Sequence, residues 1–391
     1  MAIMQDNEKL DLILERFYNR YNKYNTNVLK KLGDAIKQFD GVSINEAYKI
    51  AQELELGIDI YELQSELAKI NTQSIKDVNK LFNKVADENL DFAIAYSALN
   101  DDPQIQNIIQ ENKKQTDKMF IDMNNPNNIG FTTKNDDGKY IYRPLTKVYN
   151  DLINEAVYNV SIGNQDYQSA MRNTIKQLAN SGIKVHQEKI GYKSGYNRRI
   201  DSSVRQAVLT GLRQVNLDMQ KEIGKKIGAN GVEISAHPLC AIDHLDIQGR
   251  QFSDEEFEKL DSELTRPIGE YNCRHFVFSI ILGVNLPSYT KSQLARYKKE
   301  SLKQIKYNGE TYTKYEATQV QRQLETAIRK QKDLQIMARA SGDKEEVGLA
   351  QQKITELIAE YNRFSKIAGL DTYKNRLTVS GYHRLKSYDK K

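Results

Sequence analysis

The side chains best suited to chemistry in this chain lie close together in the sequence. Three of the five histidines and both cysteines fall within one short segment. They are His237, Cys240, His244, Cys273 and His275. Imidazole nitrogens and cysteine sulfurs are ligands that zinc prefers, and they also serve as bases and nucleophiles. This set, called the His/Cys cluster below, is therefore the first candidate for a metal centre or a catalytic site.

A structural zinc ion needs four nitrogen or sulfur ligands in a tetrahedral arrangement. His237 and Cys240 have a spacing at which a turn can supply two of them. Cys273 and His275 are two positions apart, so in an extended segment both side chains project to the same side. A single intervening residue is fewer than zinc motifs ordinarily have, and His244 is a fifth donor. The spacing allows a structural zinc site without selecting its four ligands.

Two other interpretations of the cluster stay open. The imidazoles could bridge two strands by hydrogen bonds, with the cysteines packed as small apolar residues. Alternatively, Cys273 could pair with one of the histidines as a thiolate–imidazole nucleophile. The sequence lacks the His-x-Glu and Cys-x-x-Cys motifs of zinc deaminases and the glycine patterns of nucleotide-binding loops. Asp243-His244 places a histidine next to an acidic residue, as in HNH-type nucleases, but the sequence around it does not predict the compact ββα fold of those enzymes.

The elements around the cluster have the pattern of a small α+β unit. Residues 232–237 alternate like a strand, and residues 276–281 form an apolar run typical of a more buried strand. Ser253, followed by acidic residues, predicts a short helix between these two strands. We therefore predict a small α+β module at residues 228–290 that carries the cluster.

Helices are predicted before this module. In residues 1–125, apolar side chains recur at spacings of three and four, as in long amphipathic helices. Breaks are predicted at Asn71-Thr72 and at Asp101-Asp102-Pro103. Residues 126–227 open with a predicted hairpin over residues 130–142 and continue as helices.

Helices are also predicted after the module, in residues 291–391. Two of them form a C-terminal α-hairpin around Ser341-Gly342-Asp343, and the tail from Thr378 is predicted to be loose. The predicted fold class is thus mainly α with a small α+β module: long helices at the N-terminus, a short β-containing His/Cys module and a C-terminal α-hairpin.

Charge is distributed unevenly along the chain. Residues 291–391 hold 22 Lys and Arg against 12 Asp and Glu, a net charge of +10, whereas the whole chain carries +5. A basic helical region on a mildly acidic body can bind nucleic acid or an acidic protein, although a solvated helical face would have the same composition.

Length and composition restrict the class of protein further. A chain of 391 residues is long enough for two or three domains. Two cysteines do not make a disulfide framework. The acidic start of the chain lacks the apolar core of a secretory signal, and the longest apolar run, residues 276–284, is too short to span a bilayer. We therefore expect a soluble protein, made in the cytosol, with no membrane partner.

The cluster and its flanking residues resemble a known family. The motifs are His237 and His244, the run Gln-Gly-Arg-Gln-Phe-Ser at 248–253, Asn-Cys-Arg-His at 272–275, Pro-Ser-Tyr-Thr at 287–290, and the polar helical segment at 315–330. Together they resemble the minor capsid proteins of tailed bacteriophages, specifically the group called phage minor capsid protein 2. The chain is also remotely similar to Mu-type head-morphogenesis proteins. The resemblance is sharp over residues 228–335 and general over the helical N-terminal half.

The resemblance implies a structural virion protein of low copy number and no enzymatic activity. Such a protein would lie in the capsid interior or at the portal vertex after synthesis in the host cytoplasm, and would act in head assembly. Its expected partners are the portal protein, other capsid proteins and packaged DNA, with an oligomer as one state within the virion. The alternatives are a nucleic-acid-binding scaffold that uses residues 291–391, and a phage-encoded nuclease or Cys/His hydrolase.

The resemblance also bears on the ligand set. The family has Arg-Pro where this chain has Ala241-Ile242, and it does not require a cysteine at position 240. The implied metal ligands are therefore His237, His244, Cys273 and His275, with Cys240 as the alternative and structural zinc as the cofactor to test.

Overall fold

The structure, a computed structural model, describes residues 7–38, 46, 60–92, 102–135, 137–161, 166–186, 198–269 and 273–385. Most of these residues are helical, which confirms the mainly α fold class. The described residues divide into two compact units. Unit 1 draws on Met1–Arg16, Gln73–Met119 and Arg205–Val320, and unit 2 on Phe17–Thr72, Phe120–Val204 and Gln321–Lys391. The division into four consecutive regions stays a prediction.

Ten α-helices lie within the described residues. They are α1 (Asn7–Lys37), α2 (Ile60–Phe92), α3 (Pro103–Asp122), α4 (Leu145–Ser161), α5 (Tyr167–Ser181), α6 (Ile200–Ile227), α7 (Asp254–Glu263), α8 (Lys291–Ser301), α9 (Lys314–Ser341) and α10 (Lys344–Ala368). Single 3₁₀ turns occur at Ile242–His244 and Lys374–Leu377.

The strands of the described residues form three antiparallel sheets. They are β1 (Ile129–Lys134), β2 (Tyr140–Pro144), β3 (Lys184–Val185), β4 (Arg198–Arg199), β5 (Gly231–Ile234), β6 (Gln251–Ser253), β7 (Val277–Ile280), β8 (Gln304–Tyr307) and β9 (Glu310–Thr313). The orders are β2-β1-β3-β4 and β6-β5-β7, and β8 pairs with β9.

The predicted break at Asn71-Thr72 is wrong, because α2 runs through both residues. Asn71 is fully buried, and its side chain accepts a hydrogen bond from Tyr21 (2.6 Å) and donates one to Asn124 (2.7 Å). The Thr72 hydroxyl donates to the carbonyl of Ala68, one helical turn earlier. Side chains that ordinarily compete with the helix backbone are satisfied here by tertiary and local bonds, so the helix continues.

The break predicted before Pro103 is confirmed, because α3 begins at that proline. The Asp102 carboxylate accepts the backbone N–H groups of Gln104 (2.9 Å) and Ile105 (3.3 Å). An acidic cap satisfies N–H groups that lack partners inside the helix, and proline in the first turn loses no hydrogen bond. Local chemistry alone therefore determines where α3 begins.

The hairpin predicted over residues 130–142 is confirmed as β1 and β2, with Gly130 opposite Pro144 in the register. A Cβ added at Gly130 would lie 2.1 Å from the Arg143 carbonyl oxygen, so no larger residue fits there. The C-terminal α-hairpin is also confirmed. Gly342 has a φ of +85° between α9 and α10, and Asp343 caps α10 by accepting the Glu346 N–H.

Two predictions for residues 291–391 are wrong. Residues 304–313 form the β8–β9 hairpin rather than helix, with Asn308-Gly309 at positive φ in the tight turn that this dipeptide favours. The tail is not loose in its described part. Leu377 and Val379 are buried, and the Tyr382 hydroxyl bonds Gln351 at 3.1 Å.

A polar network supports the sheet of unit 1 from α6. Asn216 and Gln220 of α6 both donate to the Asn89 side-chain oxygen, at 2.8 and 2.9 Å. Gln220 also accepts the backbone N–H of Ser279 on β7 at 3.0 Å. A Cβ at Gly224 would lie 2.6 Å from the Ser279 hydroxyl, so α6 approaches β7 closely at this glycine.

The core of unit 2 contains a buried ion-pair network. The Arg199 guanidinium donates to Asp333 at 2.9 Å and to Asp201 at 3.2 Å, and both carboxylates are fully buried. Removing one partner of a buried ion pair leaves the other charged group without solvation. The network therefore makes unit 2 sensitive to any change at these three residues.

We expect Arg199→Met to lower the free energy of unfolding by about 3–5 kcal/mol, because two buried carboxylates lose their cation. The control is Lys353→Met, which removes an exposed ion pair with Glu356 and should cost at most about 1 kcal/mol. Chemical denaturation monitored by circular dichroism measures both. Equal losses in the two variants would contradict a structural role for the buried network.

Two helical glycines should respond to alanine in opposite directions. A Cβ at Gly211 on α6 would lie 2.3 Å from the Thr116 hydroxyl and 3.0 Å from the Phe82 ring, so Gly211→Ala should lower the thermal midpoint. Gly348 on α10 faces open space, and Gly348→Ala should stabilise by about 0.4–1 kcal/mol through lower unfolded-state entropy. A thermal shift of the same sign in both variants would contradict this difference in packing.

Candidate metal centre

The sheet of unit 1 brings His237, Cys273 and His275 of the His/Cys cluster to one edge, where β5 ends and β7 begins. β5 pairs antiparallel with β7, and the pairing continues past both strands: the Ser235 N–H donates to the Phe276 carbonyl at 2.8 Å, and the Ser235 hydroxyl accepts the Phe276 N–H at 2.9 Å. His237 follows β5, and Cys273 and His275 precede β7, so antiparallel pairing places these residues side by side. The two strands predicted from the sequence are thus confirmed, with β6 as an unpredicted third.

Three donor atoms form a compact triangle at this edge. His244 Nδ1 lies 3.3 Å from His275 Nδ1. Cys273 Sγ lies 3.4 Å from His275 Nδ1 and 3.8 Å from His244 Nδ1. His244 and His275 are almost completely buried, and Cys273 is half-buried. In the part of the chain that the structure describes, these are the three His, Cys or acidic residues grouped closely enough to hold one metal ion.

The hydrogen bond of His244 fixes which of its nitrogens carries the proton. His244 Nε2 lies 2.7 Å from the Arg266 carbonyl oxygen. A carbonyl oxygen can only accept, so Nε2 must carry the hydrogen. In the neutral ring, Nδ1 then presents a lone pair to the other two donors. A second nitrogen that donates to a backbone carbonyl is the usual arrangement for a metal-binding histidine.

The same reasoning applies to His275 through Gln248. Gln248 Oε1 accepts the backbone N–H of His237 at 3.0 Å, which identifies that atom as the amide oxygen. His275 Nε2 lies 3.3 Å from this oxygen and must therefore donate to it. His275 Nδ1 is left with a lone pair, and it faces the lone pair of His244 Nδ1 at 3.3 Å. Two lone pairs at this distance need a cation between them, either a proton or a metal ion.

His237 lies beside the triangle rather than in it. Its ring is tilted against that of His275, with centroids 4.4 Å apart. Nδ1 lies 3.0 Å from the Pro238 carbonyl oxygen and so donates to it, which leaves the lone pair on Nε2. That nitrogen is buried and has no hydrogen-bond partner among the described residues. Burial lowers the pKa of His237 to about 4, so the ring is neutral at pH 7.

Cys240 is buried but separate from the three grouped donors. Burial raises the pKa of its thiol to about 12, and the negative charge on Cys273 acts in the same direction. Its sulfur is therefore a thiol at neutral pH, the form that does not bind metal. The structure thus separates the two cysteines, although their sequence spacings to histidine look equally suitable.

Cys273 has the opposite electrostatic environment. Burial tends to raise the pKa of its thiol, but the contact with His244 and the N–H groups of Gly269 and His275 lower it, and the net shift is downward. The backbone N–H of His275 donates to Cys273 Sγ, with 3.4 Å between nitrogen and sulfur. The pKa of His244 rises, because its interaction with Cys273 outweighs burial.

A buried arginine, Arg213, interacts electrostatically with Cys273. The Arg213 side chain is almost fully buried, and its guanidinium stacks on the Phe276 ring at 4.3 Å from the centroid. None of its three nitrogens has a hydrogen-bond partner among the described residues. Burial lowers the pKa of Arg213, and the Cys273 thiolate acts in the opposite direction. This cation therefore favours the ionised form of Cys273.

An ion pair holds the carbonyl group that orients His244. Arg266 forms two hydrogen bonds with Asp243, at 2.6 and 3.2 Å, and a third with the Tyr315 hydroxyl at 2.9 Å. Asp243 is adjacent to His244, and the Arg266 carbonyl accepts from His244. The ion pair thus ties the segment that carries the acceptor to the turn that carries the imidazole.

Sequence reasoning missed the residues that support the cluster. Gln248 lies in the Gln-Gly-Arg-Gln-Phe-Ser motif, but its sequence context predicts no role for it, and neither Arg266 nor Arg213 belongs to a recognisable motif. An arginine within the apolar face of α6 is only a weak signal for a buried polar group, and Gln248, between Ile247 and Gly249, gives no clear signal. Arg266 contacts His244, 22 residues away in the sequence, and Gln248 contacts His275, 27 residues away. A local sequence pattern cannot predict contacts over such separations.

The grouping of two imidazoles and one cysteine thiol allows two kinds of chemistry. With a shared proton, it is a hydrogen-bonded polar core in which Cys273 and His244 form a thiolate–imidazolium pair. With a divalent cation, the same three atoms are ligands. The residues predicted as ligands thus fall into three classes: His244, Cys273 and His275 are grouped, His237 lies beside them, and Cys240 is apart.

Comparison with known proteins identifies the chain's family. Among the described residues, no helix has the length and apolar character that crossing a membrane requires. Searches of curated proteins and of solved structures gave no significant match. A family model described as phage minor capsid protein 2 matches residues 6–365, nearly the whole chain, and confirms the resemblance seen in the motifs. The chain therefore belongs to the phage minor capsid protein 2 family, a family of structural bacteriophage proteins.

Proposed function

We propose that this chain acts in assembly of the phage head, at the portal vertex or in the capsid interior, in contact with the portal protein and other capsid proteins. The observation that carries the proposal is the family match over residues 6–365. A minor capsid protein assembles with other virion proteins, so its partners are expected within the particle. No catalytic step is part of the proposal, and the nuclease and hydrolase alternatives have no support from a family of structural proteins.

The fold is consistent with a protein that docks on others. Its helices carry many exposed polar side chains, and large apolar side chains are exposed in unit 1, among them Val284 (71%) and Leu286 (88%). Unit 2 exposes Tyr61 and Tyr140 in the same way. Exposed apolar side chains of this size are common at protein interfaces, although single ones also occur on ordinary surfaces.

Virion association is tested with an epitope-tagged chain expressed during infection by the phage that encodes it. We expect the chain to co-sediment with mature particles in fewer copies than the major capsid protein, and to co-purify with the portal protein from infected cells. The control is a tagged non-structural protein of the same phage. A chain that is absent from purified particles and does not bind portal protein would refute the proposal.

Contact with packaged DNA is the second part of the proposal. Some of the positive charge of residues 291–391 is used internally, since buried Lys332 donates to the Leu377 carbonyl at 2.6 Å and Arg329 donates to the Arg376 carbonyl at 2.7 Å. Exposed basic side chains remain on α8 and just after it: Lys291, Arg296, Lys298, Lys299 and Lys303. Because Lys298 pairs with Asp246, the others are the better candidates for phosphate contacts.

We expect the purified chain to bind duplex DNA with an affinity that falls as salt rises, by a log–log slope of about 0.9 for each phosphate contacted. Replacing Lys291, Lys299 and Lys303 by Gln should reduce that slope. A matched control replaces three exposed lysines of α2, Lys69, Lys76 and Lys80, and changes net charge equally. Fluorescence anisotropy at several salt concentrations measures both. Absent binding, or equal slopes in the two triple variants, would remove α8 as a DNA-contacting surface.

A further inference from the structure

We propose that the chain binds one zinc ion through Cys273 Sγ, His244 Nδ1 and His275 Nδ1, with His237 Nε2 as the fourth ligand. The site would be structural, fixing the edge where β5 and β7 end. This proposal is independent of where in the virion the chain lies.

The distances among the three grouped donors match one face of a zinc tetrahedron. With Zn–N bonds of about 2.0–2.1 Å and a Zn–S bond of about 2.3 Å, tetrahedral angles place two nitrogens about 3.3 Å apart and nitrogen and sulfur about 3.6 Å apart. The observed N···N distance is 3.3 Å, and the N···S distances are 3.4 and 3.8 Å. The triangle therefore needs almost no rearrangement to bind the metal.

The lone pairs of His244 and His275 also support a metal site, because they lie on the Nδ1 atoms that face each other. The Arg266 carbonyl and the Gln248 amide oxygen accept from the Nε2 atoms of His244 and His275, so both Nδ1 atoms are available as ligands. Both second nitrogens are thus held by oxygen acceptors, as is usual around protein-bound zinc. A shared proton satisfies two of the three donors at a time, whereas a metal ion satisfies all three.

The fourth ligand is assigned from an unsatisfied atom. His237 Nε2 is buried, carries a lone pair because Nδ1 donates to Pro238, and has no partner among the described residues. Leaving a buried acceptor unpaired costs free energy, and coordination would remove that cost. Its ring already lies against that of His275. His237 and Cys240 both lie outside the three grouped donors, so His237 Nε2 would have to move closer to them on zinc binding, and Cys240, the competing fourth ligand, is the matched control.

The donor types select the metal. Two or three imidazoles with one thiolate, and no oxygen ligand, suit zinc and exclude magnesium and calcium, which need oxygen donors. A four-ligand site without an open position is the structural form of zinc site. We therefore expect the ion to stabilise the fold rather than to activate water.

Elemental analysis of the purified full-length chain, kept reduced and dialysed against metal-free buffer, tests the proposal. We expect about one zinc per chain in the wild type and in Cys240→Ser, and loss of zinc in Cys273→Ser and His244→Gln. His237→Gln should bind zinc more weakly. Wild-type protein that neither retains zinc nor takes it up when zinc is added would overturn the proposal. Loss of zinc in Cys240→Ser but not in His237→Gln would overturn the fourth ligand.

Cobalt substitution keeps the test informative if a variant fails to fold. Cobalt(II) added to metal-free wild-type protein should give intense visible d–d bands of a tetrahedral site and a near-ultraviolet thiolate-to-cobalt charge-transfer band. Cys240→Ser should give the same spectrum, and excess zinc should abolish it. A spectrum without the thiolate band, or one that Cys240→Ser removes, would contradict Cys273 as the sulfur ligand.

The supporting hydrogen bonds provide a graded test. Gln248→Met removes the oxygen that accepts from His275 Nε2 and from the His237 backbone N–H, without replacing a ligand, and loss of such a partner ordinarily weakens metal binding by about 10- to 100-fold. A competition assay with a coloured zinc chelator measures the change, and Gln251→Met on β6, whose amide bonds Glu233 and not a histidine, is the control. Unchanged zinc affinity in Gln248→Met would contradict the lone-pair assignment.

Discussion

The contact between the two Nδ1 atoms of His244 and His275, 3.3 Å apart in a buried environment, constrains the module around it. Each ring is held in place by an acceptor on its far side: the Arg266 carbonyl for one and the Gln248 amide for the other. These acceptors are in turn held, the first by the Asp243–Arg266 ion pair and the second by the His237 N–H. The arrangement is stable only if something satisfies the two facing lone pairs.

Buried amide side chains that hydrogen-bond between helices or to the backbone occur in both units. In unit 1, Asn89 accepts from two side chains of α6. In unit 2, Gln321 donates to Ser365 and to the Asp371 carbonyl. A chain with a mean hydropathy of −0.67 has few apolar side chains per helix, and buried amides that bond across helices extend the core without more of them. Since such bonds need specific partners, they also fix the register of the helices.

The sequence predicted the parts of the fold that depend on local chemistry. The α-hairpin at Gly342, the start of α3 at Pro103 and the strands that flank the cluster all follow from turn residues, caps and apolar spacing. The prediction failed at Asn71, where distant Tyr21 and Asn124 satisfy a side chain that would otherwise end a helix. It also missed the β8–β9 hairpin, although the Asn308-Gly309 dipeptide is a local signal for it.

The candidate site, too, was predicted only as far as local sequence features allow. Residue types and spacing identified the His/Cys cluster, because histidine and cysteine are rare in this chain and five of them fall together. The choice between the two cysteines could not be made from spacing. It depends on burial, which raises the pKa of the Cys240 thiol, and on the imidazole and N–H groups next to Cys273, which lower the pKa of that thiol. Those contacts exist only once the antiparallel pairing of β5 and β7 has formed.

A thiolate beside an imidazole also has the geometry of a nucleophile, so the structural role needs a separate argument. In a thiolate–imidazole nucleophile the imidazolium must reach the leaving group of the substrate to give the proton back, and His244 is only 2% exposed. A dyad also needs a single imidazole, whereas here His275 Nδ1 lies within 3.4 Å of both the sulfur and the first imidazole nitrogen. A thiolate–imidazole dyad does not need the second buried imidazole, which is the third ligand in the proposed zinc site. The geometry thus favours a cross-link between the ends of two strands, which is a suitable device for a protein of a structural phage family.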